Sequence, residues 1–236
     1  MKLKWMMHQP KYKLNRDIDI RVGQKKLYAI QALRDFADVS EGDIGGFVES
    51  EANLSHEGDC WIYDSALVYD KARVDRNARV KDQANVYDSA KISDDALVTG
   101  QSSVFQNAMV YDEAIVDGIT AVYGNAQVFG KIEILGHSKV HDDAWVYGDF
   151  VIDGYANITR KTTQKPIVLT GFTYDVTIMD EHISIDCQTK TFDEWRHVTR
   201  EEAFAMNGKE GLRFFKHIPD TLEFLVSKYR KNQSNV

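Results

Sequence analysis

One spacing dominates this 236-residue chain. From Ile62 every sixth residue is Val or Ile until Ile158, seventeen in succession. Two positions before them, from Ala66 to Ala156, eleven of sixteen residues are alanine. Ser102, Thr120 and Ser138 are also small there, and Ile132 and Phe150 are large. Two positions after the aliphatics Asp or Gly dominates, as at Asp70, Asp82, Asp88, Gly124 and Gly148. A strand alternates sides with period two, so the small residue and the aliphatic two later face the same way. That way is inward, because both sets are apolar. Asp and Gly tolerate tight-turn backbone angles and make corners. Each hexad is therefore a short strand plus a corner, with β-branched residues filling the interior and small residues fitting where the chain bends. Proline is absent from residue 11 to residue 165, so the ladder between coils loses no donors.

The outward positions give the number of sides. The residue after each aliphatic is Tyr69, Tyr87, Phe105, Tyr123 and then His141, at steps of 18, and a second series runs Tyr111, Phe129 and Tyr147. Eighteen is three hexads, so like residues stack in successive coils of a triangular prism. Residues 62–158 make between five and six coils, roughly 25–30 Å tall at the usual inter-strand spacing.

This pattern resembles the hexapeptide-repeat, left-handed parallel β-helix family, whose motif places a small residue four positions after an aliphatic one, as in Val68 and Ala72. Left-handedness is implied by that resemblance and not by the spacing. Upstream, Val48 and Leu54 keep the step of six, and a two-residue insertion falls within Ser55–Trp61. Gly45-Gly46-Phe47-Val48 and Gly58-Asp59-Cys60-Trp61-Ile62-Tyr63-Asp64 resemble the YdcK-like group of acyltransferases and related phage proteins. The stretch from Val168 to Lys216, especially ISIDCQTKTFDEWRHVTREE, resembles a C-terminal module of phage-encoded proteins without an assigned role.

The expected fold is thus an all-β solenoid with 18 residues per coil and two additions. Residues 1–47 form a strand-rich N-terminal cap over an otherwise open sheet edge. Residues 48–160 form the β-helix. Residues 161–236 form a small α+β C-terminal module. In that module Lys161–Lys165 reads as a linker, IVLTGFTYDVTIM and HISIDCQ as two strands, and Thr191–Glu194 and Thr199–Glu202 as capping boxes. Gly208 ends one helix, and residues 209–217 and 219–230 are amphipathic.

Composition removes several functions. The net charge is −7, which argues against nucleic acid as a partner. Lys2, Lys4, Lys11, Lys13, Arg16, Arg21, Lys25 and Lys26 gather near the start beside Asp17 and Asp19, and read as a solvated strand-forming end more than a phosphate-binding arm. No apolar run has the length of a membrane span, and the start lacks the apolar core of a secretory signal. Cys60 and Cys187 are too few for a disulfide scaffold. The expected compartment is the cytoplasm, the host's if the chain is phage-encoded. No metal site is expected; His182, His197 and His217 lack ligand spacing.

Catalytic candidates are sparse. Acyl transfer needs a general base near the acceptor. The family implies a histidine for this, often near a subunit boundary. Here His137 occupies a corner and His141 an outward strand position, with only Asp142 and Asp143 as adjacent carboxylates; His56 lies in the irregular coil. Cys60 takes a small inward slot and reads as a packed thiol, and Cys187 has no assignable base. The outer faces offer more. One carries Tyr69, Tyr87, Phe105 and Tyr123. The next carries Met109, Tyr111, Phe129, Trp145 and Tyr147, with Arg73 and Lys91 below, and the third carries Trp61, Tyr63, Leu97, Ile115, Leu135 and Val151. Such strips need cover. The cap, the tail packed on one face and other subunits can supply it, and the family implies a homotrimer. Rings beside Arg73, Arg79 or Lys81 could stack a base and hold a phosphate.

The expected function is a non-enzymatic, oligomeric phage-type binding protein. It would sequester a host small molecule, such as a signalling nucleotide, or block a host protein in counter-defence, and it needs no cofactor. The alternative is an acyltransferase, with acyl-CoA as cosubstrate and His137 or His141 as base. A third reading is a structural component of a phage particle.

Overall fold

The computed structural model describes residues 10–171, 173–186 and 188–233. Strands β1 (Tyr12–Val22) and β2 (Lys25–Ala32) form an antiparallel hairpin, and β3 (Ile44–Val48) adds to β2. Seventeen short strands, β4–β20, follow from Trp61–Ile62 to Asn157–Ile158 and stack in three parallel sheets. Pairing runs Trp61 to Arg79, Leu67 to Asn85 and Arg73 to Lys91, always 18 residues on. The first coil is the exception. Phe47 pairs with Leu67 and Leu54 with Val74, 20 apart, because the two extra residues before Trp61 lengthen that turn. The chain is a three-sided parallel β-solenoid of about six turns.

All seventeen repeat aliphatics are at most 1% exposed and line one interior axis. Each is worth about 1.5–3 kcal/mol of burial. The small slots are buried as well, except that Phe150 is half-buried against the core. Hydroxyls in these slots are satisfied three residues back: Ser102 donates to the Thr99 carbonyl (2.5 Å), Thr120 to Asp117 (2.6 Å) and Ser138 to Leu135 (2.9 Å). The sixteen corner residues from Asp64 to Gly154 all have positive φ; seven are glycine, and Asp, Arg76 and Gln106 supply the other nine. Between coils the backbone forms a ladder, as where Leu67 N–H donates to Ala84 and Tyr69 N–H to Val86.

The cap closes the lower end. β3 pairs with Leu67–Val68 and extends one solenoid face into a nine-stranded sheet. Trp61, expected on an outer strip, is buried there with its ring edge-on to Phe36 (5.4 Å) and Tyr12 (6.2 Å). The basic start is partly neutralised: Lys25 pairs with Asp70 (2.6 Å) and Glu49 (3.1 Å), and Lys26 with Asp19 (2.9 Å). Lys2 and Lys4 lie outside the described residues.

The tail differs from expectation in two ways. Among the described residues four antiparallel strands form, not two: β21 (Ile167–Leu169), β22 (Val176–Ile178), β23 (His182–Ile185) and β24 (Gln188–Thr191). The chain reverses at Gly171 and Asp186, both at positive φ, which divides each expected strand. The module also packs on the upper end of the solenoid rather than along a side. Met179 joins the solenoid core, Asn157 N–H donates to Thr177 Oγ1 (2.9 Å), and Thr163 donates to Asp180 (2.7 Å). Helix α1 (Phe192–Arg196) starts at the Thr191–Glu194 capping box. Helix α2 (Arg200–Gln233) starts at the Thr199–Glu202 box and breaks at Asn207–Gly208, where Gly208 has φ +54°.

Candidate functional site

The outward aromatic positions do form ladders, and the ladders use up their own ring faces. Tyr69, Tyr87, Phe105, Tyr123 and His141 stack in sequence with centroids 4.8–5.3 Å apart and planes within 9°. Tyr111, Phe129 and Tyr147 do the same at 4.8 and 5.0 Å. Offset parallel rings at this separation attract one another. The spacing is set by the coil rise, so no planar ligand fits between them, and solvent meets ring edges. Trp145 stands apart, edge-on to Phe129 and 47% exposed.

The cations expected beside these rings go elsewhere. Lys81 Nζ sits 4.1 Å over Tyr63, and Tyr63 donates to Asp38 (2.6 Å), which holds the Asp38 carboxyl below its usual range. Arg73 Nε reaches Asp75 (3.2 Å), and Arg79 is exposed on the face of Trp61. His56 is stacked on Tyr12 (4.3 Å), accepts the Lys11 N–H (3.3 Å), and has its pKa pushed down by burial. The side chain of His217, and Cys187 altogether, lie outside the description.

The upper end brings the two remaining candidates together. A groove of about 260 Å³ is lined by Tyr123, His137, Lys139, His141, Tyr155, Asn157, Asp175 and Asp186. His137 is exposed and stacks on Tyr155 (4.9 Å, 7°), and Tyr155 is itself 50% exposed. His141 ends the longer ladder. Its Nε2 lies 2.7 Å from Asn157 Oδ1, and its Nδ1 lies 3.3 Å from Asp142 Oδ1. Asn157 Nδ2 donates to the Asp186 carbonyl (2.7 Å), which fixes the amide and makes His141 Nε2 the donor. Asp143 instead accepts from Asn125 (2.9 Å) and takes no part. With Nε2 the donor, the neutral ring keeps its lone pair on Nδ1, beside the Asp142 carboxylate. Among the described residues, no three His, Cys, Asp or Glu side chains converge on a metal-sized site.

The groove holds residues that sequence reasoning passed over. Tyr155 and Asn157 lie one coil above His137 and Lys139, so the step of 18 contained them. Asp175 and Asp186 come from the tail sheet, and no periodicity points to them.

No protein-family model matches the chain. Over 62 residues, 25% of its length, the chain is 42% identical to the uncharacterized acetyltransferase YdcK of Escherichia coli (strain K12). That stretch covers 19% of the relative, so the chain spans about a fifth of it. This partial similarity and the solenoid together agree with a hexapeptide-repeat β-helix. No helix among the described residues is long and apolar enough to cross a membrane.

Proposed function

We propose that this chain is a binding protein that holds a nucleotide-like small molecule in the upper groove without transforming it. The observation that carries this reading is the fixed state of His141. Its Nε2–H is taken by Asn157, its ring is stacked on Tyr123 and its side chain is 17% exposed, which suits a wall of the groove. The other residues divide into complementary roles. The open face of Tyr155 stacks a base, Lys139 pairs with a phosphate, and the Asp175 and Asp186 carboxylates accept from base or ribose donors. Followed through, the chain withholds a host signalling nucleotide, the counter-defence role implied by the phage resemblance of its tail. We further take it to assemble as a homotrimer, which would cover Trp145 and Val151 on its outer faces.

Calorimetry against mononucleotides and cyclic dinucleotides tests the site. Binding that is lost in Lys139→Glu and Tyr155→Ala, with the intact ligand recovered on heating, is the expected result; no binding, or recovery of an altered product, overturns it. Light scattering at the mass of three chains is expected, and a stable monomer overturns the assembly.

The similarity to an acetyltransferase supports a second reading, acyl-CoA-dependent transfer with His137 as base. His137 has no hydrogen-bonded carboxylate among the described residues, and its ring is held by the stack on Tyr155. Thiol release from acetyl-CoA that disappears in His137→Ala would establish this reading over the first.

A further inference from the structure

A second pair of reactive groups lies at the opposite end of the molecule, where the cap meets the first coil. Lys11 is fully buried. Its Nζ donates to the Gly58 carbonyl (3.0 Å) and the Cys60 carbonyl (2.8 Å), and lies 3.3 Å from Cys60 Sγ. Among the described residues it has no carboxylate in ion-pair contact. Cys60 is also fully buried, in the small slot of its hexad, with carbonyls of Ser55, Glu57 and Val74 around the sulfur. A lysine is rarely buried without a counter-ion. Burial pushes the Lys11 amine down and the Cys60 thiol up. The separation is that of a near-attack pair.

We propose that Lys11 and Cys60 are an oxidation-dependent cross-linking site, closed by a nitrogen–sulfur bond. One equivalent of peroxide converts the Cys60 thiol to a sulfenic acid and releases one water. The Lys11 amine then attacks that sulfur. The S–O bond breaks, the N–S bond forms, the amine proton joins the leaving hydroxide, and a second water departs. The sulfur is oxidised, the peroxide is reduced, and the chain loses two hydrogens. The bond ties the start of β1 to the first coil, and a thiol reductant reopens it.

The experiment uses the full chain carrying Cys187→Ser, which removes any disulfide of the same mass change, and treats it with peroxide. Intact-mass spectrometry is expected to show a monomer lighter by two hydrogens. Peptide mapping is expected to join the segments containing Lys11 and Cys60, with reversal by dithiothreitol and a higher thermal midpoint while the bond is closed. Lys11→Arg keeps charge and stem and is expected to abolish the joined peptide. A product that retains oxygen at Cys60, a free Lys11 peptide after oxidation, or no reaction at Cys60 overturns the proposal. The mapping on the Lys11-containing chain decides it even if the arginine variant folds poorly.

Discussion

Ile92 has no exposed surface and lies within the continuous apolar core of the solenoid. Ile92→Ala is expected to cost about 2–5 kcal/mol in urea unfolding, because the stacked coils above and below hold the cavity open. A loss under 1 kcal/mol would mean that the coils close on the gap. Corner residues act by another route. The Thr99 hydroxyl, and then the Gly100 N–H at 3.1 Å, hold the Asp82 carboxyl below its ordinary value. A carboxyl depressed in the folded state stabilises above its unfolded pKa and loses that contribution as pH falls through the folded one. Thermal midpoints are therefore expected to drop below about pH 4, and Asp82→Asn is expected to flatten that drop. An unchanged acid slope would assign it to other carboxyls.

The corners solve one problem in two ways as the coils rise. In the lower coils the corner side chain itself caps the N–H one coil above: Asp64 caps Asp82, Asp88 caps Gln106 and Gln106 caps Gly124. Higher on one edge the residue before the corner takes over, so Asp117 caps Gly118 (2.5 Å) and Asp153 caps Gly154 (2.6 Å). Asp117 then occupies the space a Cβ at Gly100 would need, 2.5 Å from Oδ1, with φ at +67°. Gly100→Ala is expected to destabilise by more than the roughly 1–2 kcal/mol of left-handed backbone strain alone, although Asp is accepted one coil below. A neutral result in thermal unfolding would remove Asp117 from this account. Hexads, corners and ladders were all legible because period 6 and period 18 project directly onto one wall. The tail was legible only where local chemistry speaks, as at the capping boxes of Thr191 and Thr199. Gly171 and Asp186 as reversal points depend on packing, and so do the contacts of Asp186 with Asn157 and of Lys11 with Cys60, 49 residues apart.

At the scale of the whole molecule, the vulnerable surfaces are the ends. The side ladders bury their ring faces against each other, whereas the uppermost coil has unpaired strand edges wherever the tail does not reach. Thr162 bridges to Val146, Thr177 and Asp186 hold Asn157, and Met179 closes the core. Cutting the chain after Arg160 removes all of these but leaves every repeat aliphatic in place. An open end of parallel strands templates further strands, and solenoids need terminal caps to stay soluble. The shortened chain is therefore expected to keep its β-sheet circular dichroism and to enter large particles by light scattering, in proportion to concentration. The cap-side residues, with β3 pairing to Leu67–Val68, are untouched by the cut, so the uncovered upper end is the surface expected to start this association. A shortened chain with the size distribution of the full protein would instead locate its association on the side faces, where Trp145 and Ile119 are exposed. The two results separate a molecule that needs its tail as a lid from one whose tail serves the groove alone.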